Sequence, residues 1–300
     1  MKICFLALAT VLCTANCVAQ SGNLSDWPKL LDNKDSKAAK ALCTAFVDSK
    51  DLAQQVEAQK CLANVALSGN DVILLEGDNA GGGSIRQGYK PEAVDEALVH
   101  LNLGLKLAPQ DISIHQGRLH VLEISGRYSE MVKALDESSS AYKGKEVPDA
   151  WLAYAPELAD LRQYETALEF MKVLDKHYPN SPDIIGNIGA FLMMLKKPAE
   201  AIPYLQKSVD LAPKDAVNAW DLGRAYDYTD QIALADKWYQ KGLSLPSDPD
   251  QPKDSACLYA QFVEKKLHEK ERACTLEKKN CSTEEQTACA SAPKPSKTSK

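Results

Sequence analysis

One spacing constrains this chain more than any other feature. Ala167, Ala201 and Ala235 follow one another at 34-residue steps, and so do Ala155, Gly189 and Gly223. Tyr154, Ile188 and Leu222 keep the step, as do Leu158, Leu192 and Tyr226, and Met171, Leu205 and Tyr239. Pro179 and Pro213 follow it too, with Pro246 one residue short. Upstream, Ala97 and Met131 are 34 apart, as are Leu101 and Leu135. The step from Met131 to Ala167 is 36, and the serine-rich stretch from Ser138 to Pro148 can absorb the two extra residues in a loop. Such a unit cannot bury its apolar face alone, so neighbouring copies must stack to make a common core.

The repeated positions have physical jobs. Large apolar residues three and four apart make one buried stripe per helix. The small residue at 155, 189 and 223 lets a partner helix approach, and the alanine at 167, 201 and 235 does the same from the other side. The closing proline ends each unit. Pro198 fits the first turn of a helix, where its missing N–H costs nothing. Pro156 falls inside a first helix and should kink it.

Segments such as Ala199-Glu200-Ala201-Ile202-Pro203-Tyr204-Leu205 and Leu211-Ala212-Pro213 resemble the second helix and terminator of the tetratricopeptide repeat family. The resemblance covers roughly residues 51–248 and is closest in 181–248. The unit at residues 112–147 has Gly126-Arg127-Tyr128 where the family turns, but Leu119 where a small residue is expected. The resemblance implies an all-α fold, a right-handed helical-hairpin solenoid of about five repeats. Residues 20–34 read as polar and loose, residues 36–46 as a short cap helix. The first repeat has helices at 51–67 and 91–107, separated by an insertion at 68–89 that contains Gly81-Gly82-Gly83 and reads as a mobile loop. After a Pro-rich break at 249–252, residues 254–279 read as one long polar helix, the C-terminal cap within 249–292, and 293–300 as a disordered tail.

The N-terminus carries Lys2, then a short apolar run, then small residues up to Ala19, the pattern of a secretory signal peptide over residues 1–19. The run is too short for a permanent membrane helix, and no later stretch is long and apolar enough. The expectation is a secreted or periplasmic product. Of nine cysteines, six then remain: Cys43, Cys61, Cys257, Cys274, Cys281 and Cys289. An even count in an exported chain favours disulfides. Cys43 with Cys61 is the simplest pair, and Cys274 with Cys289 fits a helical hairpin bridge. Cys257 meets Cys281 after a break in the helix or stays a buried thiol. The formal charge of −6 argues against nucleic acid and anionic membranes.

No residue set points to catalysis, a metal or a cofactor. The glycine run lacks the Lys-Ser/Thr of a phosphate loop, and no HExxH occurs. Cys257, His268, Cys274 and Cys281 have irregular spacing for zinc. An enzyme or accessory site in the 68–89 insertion is one alternative, and a redox role for the C-terminal cysteines is another, although Cys-x-x-Cys is missing. The leading expectation is a scaffold that binds a protein or peptide. In the family, ligands bind the first helix of each repeat. The matching positions include Leu152, Asp183, Met193 and Met194, then Trp220, Arg224, Asp227 and Tyr228. Trp220, Arg224 and Tyr228 share a helix face at i, i+4 and i+8. The lysine-bearing clamp of chaperone-binding members is replaced by Leu152, Gly186 and Trp220.

Overall fold

The computed structural model describes residues 23–77, 83–142, 144, 146–246 and 255–281. The signal-peptide segment, the centre of the glycine run, the 249–252 break, Cys289 and the 293–300 tail lie outside them. The chain divides into two compact units, residues 1–151 and 152–300.

The first unit opens with a 3-10 turn (Leu24–Asp26) and helix α1 (Trp27–Asp32), followed by α2 (Ser36–Thr44). Residues 23–34 are thus mostly helical rather than loose. Leu24 is buried, and Trp27, Leu30 and Leu31 pack on a core of Ala39, Cys43, Cys61 and Leu62. The Trp27 indole N–H donates to Glu57 at 2.7 Å. Helix α3 (Leu52–Leu67) pairs with α4 (Pro91–Leu107), and α5 (Ile112–Ile124) with α6 (Tyr128–Ala141). Ala97, Met131, Leu135, Ile114 and Leu119 are fully buried between them. Each such large side chain contributes about 1.5–3 kcal/mol.

The insertion is ordered at its base and along both arms. It forms an antiparallel hairpin, β1 (Asp71–Gly77) with β2 (Gly83–Tyr89), in the register Asp71↔Tyr89 to Gly77↔Gly83. The run Val72-Ile73-Leu74-Leu75 is rich in strand formers, and the glycine run at the far end suits a turn. The insertion expected to be a loop is thus a β hairpin over these arms.

The chain then passes through α7 (Asp149–Leu152). In the second unit, α8 (Tyr154–Asp160) pairs with α9 (Tyr164–His177), α10 (Pro182–Met194) with α11 (Pro198–Leu211), and α12 (Ala216–Tyr228) with α13 (Ile232–Ser244). The helical run breaks at Ala153, where Pro156 removes one backbone donor and crowds the preceding turn. Ala167, Ala201 and Ala235 have no exposed surface, which confirms the repeat register. The close approaches fall on glycine. A Cβ on Gly189 would sit 2.5 Å from Leu205 Cγ, and one on Gly223 2.7 Å from Tyr239 Cδ1.

Local signals repeat with the helices. First helices start at side-chain caps: Asp51, Asp111, Ser181 and Asp215 each accept from a backbone N–H of the first turn. Helices α5, α8, α10 and α12 end in a Schellman turn with a left-handed residue, Gly126, Arg162, Lys196 and Asp230 respectively. The closing bonds run from the N–H groups of Arg127, Gln163, Lys197 and Gln231 to the carbonyls of Leu122, Leu158, Leu192 and Tyr226.

The C-terminal cap is broken rather than one long helix. It comprises α14 (Ser255–Phe262), a π turn (Val263–Leu267), a left-handed His268 (φ 61°) and α15 (Lys270–Asn280). The break folds α15 back on α14. Among the described residues, no helix is long and apolar enough to cross a membrane.

Candidate functional site

In the second unit, α12 and the capping α14 face each other across a cleft of about 490 Å³. Helical spacing explains who lines it. Trp220, Arg224 and Tyr228 form one stripe on α12, with Asp227 beside them. Leu258, Gln261, Phe262 and Lys265 form the opposing stripe on α14 and its π turn, with Lys266 at the end. Tyr239 of α13 completes the floor.

The floor is aromatic and packed. Trp220 and Tyr239 rings lie 4.6 Å apart, and Tyr239 and Phe262 5.1 Å apart. These separations suit offset and edge-on contacts. Trp220 is only 1% exposed, and its indole N–H is buried without a hydrogen-bond partner. It acts chiefly as core between α12 and α13. Ligand-accessible apolar surface comes instead from the walls, from Tyr228 at 62% exposure and Leu258 at 41%.

The charges are graded. The Arg224 guanidinium donates to the Asp221 carboxylate at 3.2 Å and lies 6.0 Å from the centre of the Tyr228 ring. Burial pushes the Asp221 carboxyl up, with Arg224 pulling the other way. Burial also opposes the charge on Arg224, but Asp221 and Tyr228 outweigh it and its pKa moves up. Asp227 is raised by burial and partly restrained by Lys266, while it accepts from the Tyr239 hydroxyl at 3.4 Å. The Tyr239 hydroxyl is in turn pushed well up by burial and by Asp227. Lys266 pairs with Asp230 at 2.8 Å. Lining the cleft are thus three cations, Arg224, Lys265 and Lys266, and one anion, Asp227.

The wall carrying Leu258 and Lys265 is held from behind. Arg272 on α15 donates to Asp236 of α13 at 2.7 Å and to Glu269 at 2.9 Å, and also contacts the Tyr259 hydroxyl. Tyr259 donates to Asp236 at 2.5 Å. Cys257 and Cys281 bring their Sγ atoms to bonding distance, Cα atoms 5.6 Å apart, closing the fold-back of α14 and α15. Cys274 is buried, and Cys289, the partner expected for it, lies outside the described residues. In the first unit, Cys43 and Cys61 are also at bonding distance, with Cα atoms 6.2 Å apart. The seven residues between α2 and α3 give Cys61 the offset to meet Cys43.

Of the positions singled out by sequence, the cleft gathers Trp220, Arg224, Asp227 and Tyr228. Leu152, Asp183, Met193 and Met194 do not line it. Met193 is buried at 7% exposure, whereas Met194 is half exposed. Sequence reasoning missed Leu258, Gln261, Lys265 and Lys266 as site residues. Their i, i+3, i+7 spacing was readable, but a terminal cap read as a lid hides its continuation of the first-helix face.

The stacked hairpins define a helical-repeat fold. Residues 182–215 match the model of the tetratricopeptide repeat family. A solved structure of the C-terminal part of a TPR repeat-containing protein from Cytophaga hutchinsonii shares the fold, with a TM-score of 0.51 and 12% identity over 91% of this chain and 97% of that one. The pilF protein of Pseudomonas aeruginosa is similar at a TM-score of 0.44, with 17% identity over 66% of this chain and 89% of that one. YrrB, described as a TPR protein with an unusual peptide-binding site, is similar at a TM-score of 0.41, with 16% identity over 74% and 97% of the two chains. No curated protein matches the chain in sequence.

Proposed function

We propose that this is an exported, non-catalytic binding protein that captures a peptide segment bearing an acidic group in the cleft between α12 and α14. The observation that carries the reading is the pairing of exposed apolar walls, Tyr228 and Leu258, with the exposed cation Lys265; the other two lining cations, Arg224 and Lys266, pair with Asp221 and Asp230. Tyrosine and arginine are residue types that anchor partners. A catalytic reading has less support, because the cleft's ionisable groups are already engaged with one another: Arg224 with Asp221, Lys266 with Asp230, Asp227 with Tyr239. Export is part of the proposal. It rests on the N-terminal pattern ending at Ala19 and is supported by the cysteine pairs at bonding distance, which an oxidising compartment would keep joined.

The test uses a peptide selected from a displayed library on the full chain. Tyr228→Ala should weaken its binding about tenfold, a loss typical of a contact that matters. Lys265→Glu should weaken it similarly and flatten the salt dependence. Both side chains are exposed, so helix content and melting should stay close to wild type. Wild-type affinity in both variants refutes the site. Mass spectrometry of the exported protein decides the cleavage: a mature N-terminus at Gln20 is expected, and an intact Met1 refutes it.

A further inference from the structure

The hairpin inserted in the first repeat has no role in the cleft and lies in the other unit. Among the described residues, no backbone hydrogen bond engages the outward groups of β1. The Lys90 N–H donates to the Asn70 carbonyl at 3.1 Å, and Asp71 stands opposite Tyr89. In an antiparallel ladder, a bond of this kind brackets a pair that does not itself exchange hydrogen bonds. The alternation then follows along the strand. Val72, Leu74 and Glu76 turn their N–H and C=O groups toward β2, while Asp71, Ile73 and Leu75 turn theirs away. β2 is the strand that packs beside α5, so the outer edge of β1 is the one to extend. A two-stranded hairpin is marginal alone and gains from a third strand.

The base of the hairpin borders a cavity. A space of about 570 Å³ lies at the hairpin's base, and its lining includes both members of the first strand pair, Asp71 and Tyr89. Leu31, Leu67 and Ile124 supply apolar surface there. A Cβ on Gly69, which also lines the cavity, would meet nothing within 4 Å. Lys34 and Asp71 line it with opposite charges, so the cavity does not select a strongly charged ligand such as nucleic acid or a lipid headgroup. Its volume suits a few residues of a peptide.

We infer that the first unit holds a second binding site, for an extended peptide that seats an apolar side chain in this cavity and continues as a third strand along β1. Only a peptide backbone carries donors and acceptors at the spacing the edge presents, and side chains in the cavity add selectivity.

The probe is a random decapeptide library displayed on phage and selected on the full-length protein, with the recovered peptides synthesised for titration. Ile73→Pro removes an outward N–H of β1 while leaving the bonds to β2 in place, since proline is tolerated on strand edges. It should weaken binding about tenfold. Ser68→Trp, which fills the cavity, should do the same. Gln87→Pro on the opposite edge and Tyr228→Ala in the second unit should leave this binding at wild-type strength. Amide exchange on the unmutated protein supplies an independent readout: Ile73 and Leu75 should gain at least tenfold protection on adding peptide, while Leu74 is already protected without it. Recovery of no peptide overturns the inference, as does wild-type affinity in both Ile73→Pro and Ser68→Trp, or unchanged exchange at Ile73 and Leu75. A protein that dimerises without peptide and becomes monomeric as Ile73→Pro also overturns it, by assigning the edge to a second copy.

Discussion

Adding one methyl group at each of three helical glycines should give opposite effects, and the structure says why. Alanine exceeds glycine in helix propensity by about 1 kcal/mol, so Gly→Ala inside a helix stabilises unless the new Cβ collides. At Gly117 the Cβ would meet only Leu101 Cδ2 at 3.4 Å, an ordinary contact. Gly117→Ala should therefore stabilise the first unit by about 0.5–1 kcal/mol. At Gly223 the Cβ would lie 2.7 Å from Tyr239 Cδ1 and 3.0 Å from the Tyr239 backbone nitrogen. The ring is hemmed in by Trp220 and Phe262, and the nitrogen moves only if α13 moves. Overpacking costs about 1–3 kcal/mol, and the contact with a backbone atom puts this site at about 2–3, so after the propensity gain of about 1 kcal/mol Gly223→Ala should lose about 1–2 kcal/mol. Gly189→Ala is intermediate. Its Cβ would meet Leu205 side-chain atoms at 2.5 and 2.6 Å, but the backbone only at 3.4 Å, and a leucine can change rotamer. The assay is urea unfolding followed by circular dichroism, with tryptophan emission as a second probe. A Gly223→Ala protein as stable as wild type refutes the packing argument. So does a Gly117→Ala protein that loses as much as Gly223→Ala.

Other outcomes follow from the turns, caps and bridges. Lys196 holds a left-handed φ of 59° without glycine's freedom, so Lys196→Gly should raise stability by up to about 1 kcal/mol in the same urea assay. Asp111 caps α5 through the N–H groups of Ser113 and Ile114. Burial would raise its carboxyl, but these bonds, the Ser113 hydroxyl and Lys60 hold it below its usual 3.8. Asp111→Ala should cost about 1 kcal/mol at neutral pH. A depressed carboxylate pKa stabilises the fold above its unfolded value and loses that effect as pH falls through the folded one. The difference between Asp111→Ala and wild type should therefore shrink below about pH 4, as acid titrations of both proteins would show. Reduction of the Cys43–Cys61 pair, which closes a loop of 18 residues, should lower the first unit's stability by about 2–4 kcal/mol, read as an earlier melt in dithiothreitol.

What was legible in the sequence was whatever repeats. The 34-residue step located the buried alanines and the close approach at Gly189 and Gly223 because each packing position recurs with the same chemistry. The left-handed turn residues kept an equivalent place, yet only Gly126 announces itself; Arg162, Lys196 and Asp230 reach that conformation because the packed helices impose it. The β hairpin was obscured because Val72-Ile73-Leu74-Leu75 shows no strand alternation and its pairing depends on residues across a glycine run. The N-terminal helix was missed for a related reason. Trp27, Leu30 and Leu31 are few and read as isolated, but they are enough to cover the open end of the stack. Half of the candidate cleft was visible on α12. The other half needed the break at His268, without which the C-terminal segment reads as one straight helix.

The place where the hairpin enters explains how the repeat tolerates it. Helix α5 ends Ile124-Ser125-Gly126, with Gly126 left-handed at φ 71°. Helix α3 ends Leu67-Ser68-Gly69, with Gly69 left-handed at φ 73°. The two turns differ: Ser68 is extended (φ −61°, ψ 125°) and the Asn70 N–H closes on the Leu67 carbonyl, whereas the Arg127 N–H closes on Leu122, so the chain turns out of the first repeat at Ser68. It comes back at Lys90, whose N–H bonds to Asn70, so the two ends of the insertion meet where the other repeats have a three-residue connection. Closing a loop whose ends already touch adds little entropy cost, because that cost grows only slowly with length. The hairpin can therefore vary in sequence and reach without disturbing the α3–α4 packing beneath it. A repeat that carries its insertion in this way separates the helices that must keep their packing from the segment that can vary.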